Sequence, residues 1–201
     1  MLVATPADGY RLTAGLEFEY RVSGATPVDF RSLIHDLGLT HGGLDAGDLR
    51  AFRLSSGAIL TADGPEAEIA LPPIQCAPQF TSRAVAQSST ERAWFRSLLP
   101  NHMRLDGYST HLSIGTPTHF NERISLEYVR AFAPALMVLM DGPFSPGLLV
   151  RARPNRVELG GEYVDGVRLR AALAFALGSV LVCAAALQKK GELPPKLRLR
   201  L

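Results

Sequence analysis

The sequence predicts an α+β fold, with a curved, largely antiparallel sheet that is backed by helices. Two observations support this class. Segments of alternating apolar and polar residues are separated by the turn signals that are typical of hairpins. Segments with helical spacing follow groups of strands, and they do not alternate with single strands as they do in βαβ proteins.

The first predicted strand carries two carboxylates on one face. It contains the segment Gly-Leu-Glu-Phe-Glu-Tyr at residues 15–20. Because successive side chains of a strand point to opposite faces, Glu17 and Glu19 share the face opposite to Leu16 and Phe18. The two glutamates are roughly 6.5 Å apart along the backbone. Carboxylate oxygens suit Mg²⁺ or Mn²⁺. The pair therefore indicates either a metal site or the solvated face of an edge strand.

A helix and a hairpin follow this strand. Thr26 and Pro27 predict a helix cap with a proline in the first turn, and an apolar stripe then continues to Gly38. Residues 50–62 alternate on both sides of a Ser-Ser-Gly turn, which predicts two paired strands.

Two later segments repeat the separation into a polar and an apolar face. Glu66 and Glu68 share one face of residues 66–71, which follow an Asp-Gly-Pro turn signal. His111 lies between two serines on the polar face of another predicted strand. A histidine in that setting is more often a hydrogen-bonded structural residue than a ligand.

The last predicted strands combine cations with an acid. Arg151 and Arg153 share one strand face, a Pro-Asn turn follows, and Arg156 and Glu158 come next. Arginine suits phosphate because its forked donors match the phosphate oxygens, and the glutamate offers a further metal ligand.

Three longer helices are predicted. They cover residues 82–98, residues 121–140, where Pro134 is expected to kink the helix, and residues 171–187. The last segment is almost wholly apolar and has the minimum length for crossing a bilayer. We expect instead a helix that is buried against the sheet, with Gly178 allowing a close approach.

Composition indicates one soluble domain without a strong charge. The 201 residues are 47% hydrophobic, so we assign residues 1–191 to a single domain and residues 192–201 to an extended basic tail. The tail alternates basic residues with leucine, which leaves open a disordered end or a strand added to a neighbouring subunit.

A net charge of +2 gives no case for nucleic acid as a partner. Two distant cysteines and the lack of a secretory signal indicate the cytoplasm.

Four of these motifs, in this order, resemble the glutamine synthetase and glutamate–cysteine ligase superfamily of ATP-dependent carboxylate–amine ligases. Gly-Leu-Glu-Phe-Glu is similar to the first metal-binding strand of the superfamily. Ala-Glu-Ile-Ala-Leu-Pro-Pro is similar to its second acidic strand, with Leu where Thr is usual. Ser-Thr-His-Leu-Ser-Ile-Gly and Arg-x-Arg-Pro-x-Arg-x-Glu are similar to the strands with the site histidine and the phosphate-contacting arginines. Family members are usually much longer than these 201 residues.

The resemblance implies a glutamine-synthetase-like catalytic fold and a set of site residues. Mg²⁺ or Mn²⁺ would be bound by Glu17, Glu19, Glu68, His111 and Glu158. ATP would be contacted by His111, Arg151 and Arg153. The transferring phosphoryl group would be stabilised by Arg151, Arg153 and Arg156.

The activity that the resemblance implies is the ATP-dependent joining of a small-molecule carboxylate to an amine through an acyl phosphate. No nucleic acid or membrane partner is expected. Since the chain is short, a homo-oligomer or a partner subunit is expected to complete the site.

Two other functions stay open. The first is a guanidino-kinase-like phosphotransferase, since those kinases share the broad fold. The second is an inactive relative that binds nucleotide or protein as a regulatory or scaffold subunit. Asp63 and Asp165 are interpreted as turn residues that bond the backbone. The other histidines are interpreted as surface residues: His35, His41, His102 and His119.

Overall fold

The computed structural model describes residues 10–39, 44–45, 48–116, 120–142, 147–191 and 199–200 of the chain. Within these residues the fold is α+β, and every strand pair of the main sheet is antiparallel. The predicted class and the predicted antiparallel sheet are therefore confirmed.

The elements follow one another along the chain in this order: β1 (Tyr10–Arg11), β2 (Thr13–Ser23), α1 (Phe30–Leu33), β3 (Leu44–Asp45), β4 (Asp48–Arg53), β5 (Ile59–Asp63), β6 (Glu66–Ala70), β7 (Ile74–Gln75), α2 (Phe80–Leu98), β8 (Arg104–Gly115), α3 (Asn121–Ala131), α4 (Ala133–Met140), β9 (Leu149–Arg153), β10 (Arg156–Glu162), α5 (Gly166–Lys189) and β11 (Leu199–Arg200). Across the main sheet the strand order is β3-β4-β5-β6-β2-β8-β10-β9, and β7 pairs with β2. The strands that carry most of the predicted site, β6, β2, β8, β10 and β9, are therefore neighbours.

One face of the sheet is apolar and carries the helices. On β2 the alternation buries Leu16, Phe18 and Tyr20 almost completely, because each points to the same side of the strand. The ring of Tyr20 packs edge-on against Phe95 of α2, with 6.1 Å between the ring centroids. Burying each such side chain stabilises the fold by about 1.5–3 kcal/mol. The opposite face is left for polar side chains.

Helix α5 is the central helix of this layer and contacts α2, α3, α4 and β8. It is long and apolar enough to cross a membrane by length and composition, but half of its most apolar window is buried within the protein. The predicted buried helix is confirmed. The predicted role of Gly178 is wrong, because a Cβ built on this residue would meet no atom within 4 Å. The close packing comes from buried alanines such as Ala172 and Ala176.

The predicted start of the first helix is also wrong. The first helix begins at Phe30, because Asp29 provides the cap by accepting a hydrogen bond from the backbone N of Arg31 at 3.0 Å. Pro27, expected in the first turn, instead forms an isolated bridge with Ser23.

The predicted helix over residues 121–140 is broken into α3 and α4. Phe132, between the two, has a φ of −128°, outside the helical range. Pro134 explains the break, because proline lacks the N–H of a helical hydrogen bond and its ring excludes the carbonyl of Arg130. The predicted kink is therefore in the right place, but the structure has two separate helices there and not one bent helix.

The predicted hairpin over residues 50–62 is confirmed, since β4 and β5 pair Phe52 with Leu60. The predicted Pro-Asn turn is also present: it joins β9 to β10, and Asn155 in it has a φ of 65°. Leu199–Arg200 at the end of the chain pairs in parallel with Tyr10–Arg11 of the same chain. Of the predicted tail, residues 192–198 and 201 lie outside the described residues.

Candidate active site

Strand register brings the predicted acidic residues onto one face of the sheet. Glu19 is paired with Glu68 between β2 and β6, and Glu17 is paired with His111 between β2 and β8. Directly paired residues point to the same side of a sheet. Through the pairing of β8 with β10, Glu158 also lies on this side. We call this set the acidic face: Glu17, Glu19, Glu68, His111 and Glu158.

At one side of the acidic face, three carboxylates converge. Oxygens of Glu19, Asp63 and Glu68 lie within 4.8 Å of one another, an arrangement that could hold a metal ion. Glu19 is buried, and its Oε2 accepts a hydrogen bond of 2.6 Å from the Ser109 hydroxyl. That bond holds one oxygen of Glu19 and leaves the other facing the group.

The carboxyl group of Glu68 is strongly affected by this crowding. Burial, together with the negative charges of Glu17, Asp63 and Glu19, raises the pKa of Glu68 to about 7, although His111 acts in the opposite direction. A cation between these carboxylates would remove the repulsion that raises this pKa.

His111 lies among three carboxylates. Its Nδ1 is 3.6 Å from Oε2 of Glu17 and 3.8 Å from Oε1 of Glu158, and its Nε2 is 3.9 Å from Oε1 of Glu19. Glu17 most of all, and then Glu19 and Glu158, raise the pKa of His111 above its ordinary value against the opposing effect of burial. Gly160 makes room for the ring, since a Cβ there would lie 2.9 Å from Cδ2 of His111.

Glu158 is held by two arginines of β9. Arg153 donates a 2.8 Å hydrogen bond from Nε to Oε2, and Arg151 contacts Oε1. Burial alone would raise the pKa of Glu158, but the bond from Arg153 and the charge of Arg151 outweigh it and lower the pKa. Both arginine side chains are about two-fifths exposed, at 38% and 42%, although Nε of Arg151 is buried.

Arg156, the third predicted arginine, lies at the end of the same face. It is the register partner of Arg153 and lines a cleft of about 330 Å³ together with Glu17 and Ser113. The structure thus brings Arg151 and Arg153 onto Glu158 and places Arg156 beside the other end of the acidic face.

A larger cleft of about 610 Å³ opens beside Glu19 and His111. Its wall includes Arg21 and Tyr108, with the guanidinium carbon 4.0 Å from the centroid of the ring, and Glu162. This volume is within the range of small-molecule sites. The acidic face therefore adjoins space for a ligand.

Sequence reasoning missed Asp63. We interpreted it as a turn residue. It does stand at the end of β5, directly before the Gly64–Pro65 turn, but its carboxylate approaches Glu19 and Glu68. The pairing of Asp63 with Glu66 across the hairpin could have indicated this, since it puts Asp63 on the acidic side. The interpretation of Asp165 is wrong, because its carboxylate pairs with Arg92 at 3.0 Å.

The surface interpretation of the histidines is confirmed for His35 and His102, which are exposed. His41 and His119 lie outside the described residues.

The described residues define an α+β protein with an acidic, arginine-flanked sheet face beside an open cleft. A scan against known protein families found no match to this chain, and a search of curated proteins found none either.

Proposed function

We propose that the protein is an ATP-dependent carboxylate–amine ligase with a glutamine-synthetase-like catalytic fold. The observation that carries the proposal is the acidic face with Arg151 and Arg153 directly beside it on β9. Carboxylates that bind divalent cations, next to forked donors for phosphate oxygens, are what phosphoryl transfer from ATP requires. The motif resemblance described above adds support.

The donor set fits Mg²⁺ or Mn²⁺. Both are hard cations that prefer carboxylate oxygens, and Glu19, Asp63 and Glu68 already converge without one. Glu17, His111 and Glu158 form the second part of the proposed cage. Bound divalent cations would supply counter-charge to the phosphates of ATP during transfer.

The arginines would hold the phosphoryl group. Arg151 and Arg153 are oriented by Glu158, and their exposed guanidinium edges keep donors for phosphate oxygens. Arg156 would approach the nucleotide or the acid from its own cleft. In this arrangement Glu158 positions the two arginines as well as contributing charge to the cage.

The proposed chemistry solves the problem that a carboxylate does not acylate an amine directly, because the amine would have to expel oxide. Transfer of the γ-phosphoryl group of ATP to a carboxylate oxygen releases ADP and forms an acyl phosphate. The amine then attacks the acyl carbon, and the C–O bond to phosphate breaks. Inorganic phosphate leaves, the nitrogen loses a proton, and the amide remains.

Calorimetric titration of ATP, with and without Mg²⁺, tests the nucleotide site first. We expect Mg²⁺-dependent binding that Glu19→Gln weakens at least about tenfold, because the variant removes one charge of the cage. Glu122→Gln, on the exposed side of α3, is the matched control and should bind like the wild type. Pairs of acids and amines are then screened for ADP release, with the amide identified by mass spectrometry.

Three outcomes would contradict the proposal. A phosphorylated acceptor without amide would identify a phosphotransferase. Nucleotide binding without ADP release for every acid and amine pair would identify a regulatory or scaffold protein. Unchanged Mg²⁺–ATP binding in Glu19→Gln would remove the acidic face from the nucleotide site.

A further inference from the structure

A third cleft lies on the helical side of the sheet, against α2. Its volume is about 400 Å³. One wall is formed by the α2 residues Ser88, Arg92 and Arg96, and the opposite wall by Tyr163 and Asp165. None of these residues has a role in the proposed ligase reaction.

Two arginines face this cleft together because they are four residues apart on a helix. Arg92 donates a 3.0 Å hydrogen bond from a terminal nitrogen to Asp165, and its guanidinium carbon is 5.2 Å from the ring centroid of Tyr163. Arg96 donates a 3.2 Å hydrogen bond to the carbonyl of Leu99. A guanidinium has five N–H donors, so these bonds orient both groups and leave further donors for a ligand.

The charge of the cleft is positive. Two arginines outnumber the single carboxylate of Asp165 among its lining residues. The pair between Arg92 and Asp165 is partly exposed on both sides, at 38% and 56%, so water screens it and another anion can compete for Arg92. The exposed Ser89 lies on the same wall and its hydroxyl can add a polar contact, whereas the Ser88 hydroxyl already donates a 3.0 Å hydrogen bond to the carbonyl of Val85.

The wall formed by Tyr163 is held in place. Its ring occupies the space above Gly107, where any Cβ would overlap the ring. The ring also packs against Tyr20, with 5.5 Å between the centroids. A wall that is fixed before binding lowers the entropic cost of holding a ligand.

We propose that this cleft binds a small ligand that carries a phosphate group. Two guanidinium groups and the hydroxyl group of Ser89 match the three acceptor oxygens of a phosphate better than the two of a carboxylate. No residue of the acidic face lines this cleft, and Tyr163 is a wall that it shares with the cleft beside Glu19 and His111. The proposal does not depend on the ligase proposal.

The test is calorimetric titration of the whole chain with inorganic phosphate, without Mg²⁺ or ATP. Fluorescence of Trp94, the only tryptophan, is recorded as a second signal; this residue is on α2 but outside the lining of the cleft. We expect saturable binding that Arg92→Ala and Arg96→Ala each weaken at least about tenfold. Arg83→Ala, on the same helix and outside the cleft, should bind phosphate like the wild type.

A second variant covers the case in which Arg92→Ala does not fold. Arg92→Lys keeps the charge opposite Asp165 and loses the fork, so phosphate binding should still fall. The proposal is overturned if the wild type shows no saturable binding, or if Arg151→Gln abolishes binding while the α2 variants keep it. Equal affinity for acetate and phosphate would overturn the assignment of a phosphate group.

Discussion

Glu19 of β2 and Glu68 of β6 are direct register partners, so two carboxylates lie side by side on one face of the main sheet. Like charges in this position destabilise a strand pair. Asp63 adds a third carboxylate from the neighbouring strand. The sheet thus keeps a costly concentration of negative charge, and the cost would be removed by a bound cation.

Substitution of Glu68 should remove a pH dependence of stability. Because the folded-state pKa is raised from 4.5 to about 7, the folded protein binds this proton more tightly than the unfolded chain does. The free energy of unfolding should therefore fall as pH rises from about 4.5 to about 7. Glu68→Gln cannot ionise, and at pH 8 in EDTA it should be more stable than the wild type by about 1–3 kcal/mol.

Urea unfolding at pH 5 and pH 8 measures this effect. Glu122→Gln is the control and should change stability by the same small amount at both pH values. A Glu68→Gln effect that is equal at pH 5 and pH 8 would contradict the prediction.

The protonation of His111 should depend on Glu17. The carboxylate of Glu17 makes the largest contribution to the raised pKa of His111, so Glu17→Gln should lower that pKa. The pair of protonated His111 and Glu17 stabilises the folded protein fully below the ordinary histidine pKa of about 6.5. This stabilisation is lost as pH rises through the folded-state pKa of His111. An NMR titration that follows the Cε1 proton of His111 measures this pKa in the wild type and in the Glu17→Gln variant. An unchanged midpoint would show that Glu17 does not face the ring.

Two glycines should respond to alanine in opposite ways. Gly160→Ala places a Cβ 2.9 Å from Cδ2 of His111, so it should destabilise the protein by about 1–3 kcal/mol. Gly178→Ala adds a methyl group in open space on a helix, and it should stabilise the protein by about 0.5–1 kcal/mol. Thermal and urea unfolding measure both changes. A destabilised Gly178→Ala protein would contradict the position of α5.

Loss of an arginine should leave Glu158 poorly paired. Arg153→Met removes the hydrogen bond to a carboxylate that is 2% exposed, so it should lower the free energy of unfolding at pH 7. The lowered pKa of Glu158 means that its stabilising effect is present above the ordinary pKa and is lost as pH falls through the folded-state pKa. The cost of Arg153→Met should accordingly shrink at low pH.

A double-mutant cycle with Glu158→Gln measures the coupling of this pair. Most of the cost of Arg153→Met should disappear in the Glu158→Gln background, because no buried charge is then left without its partner. Additive effects of the two substitutions would show that Arg153 acts independently of Glu158.

Local patterns predicted the elements of the site well where one strand face was buried. The alternation in β2 placed Glu17 and Glu19 opposite Leu16 and Phe18 because a period of two fixes which side each residue takes. Helix starts were predicted less well, since Thr26 and Asp29 are both suitable caps and only the backbone path after β2 selects Asp29.

The sequence by itself determined which residues share a face within each strand, and so it determined the candidates Glu17, Glu19, Glu68, His111 and Glu158. The tertiary structure decided which of them meet. Within a hairpin the turn fixes the register, but the register between strands that are distant in the chain, such as β2 and β8, depends on how those segments pair and cannot be obtained from either strand alone. For that reason the approach of Asp63 to Glu19, the arginines on Glu158 and the three clefts were decided only when the strands paired and the helices packed behind them.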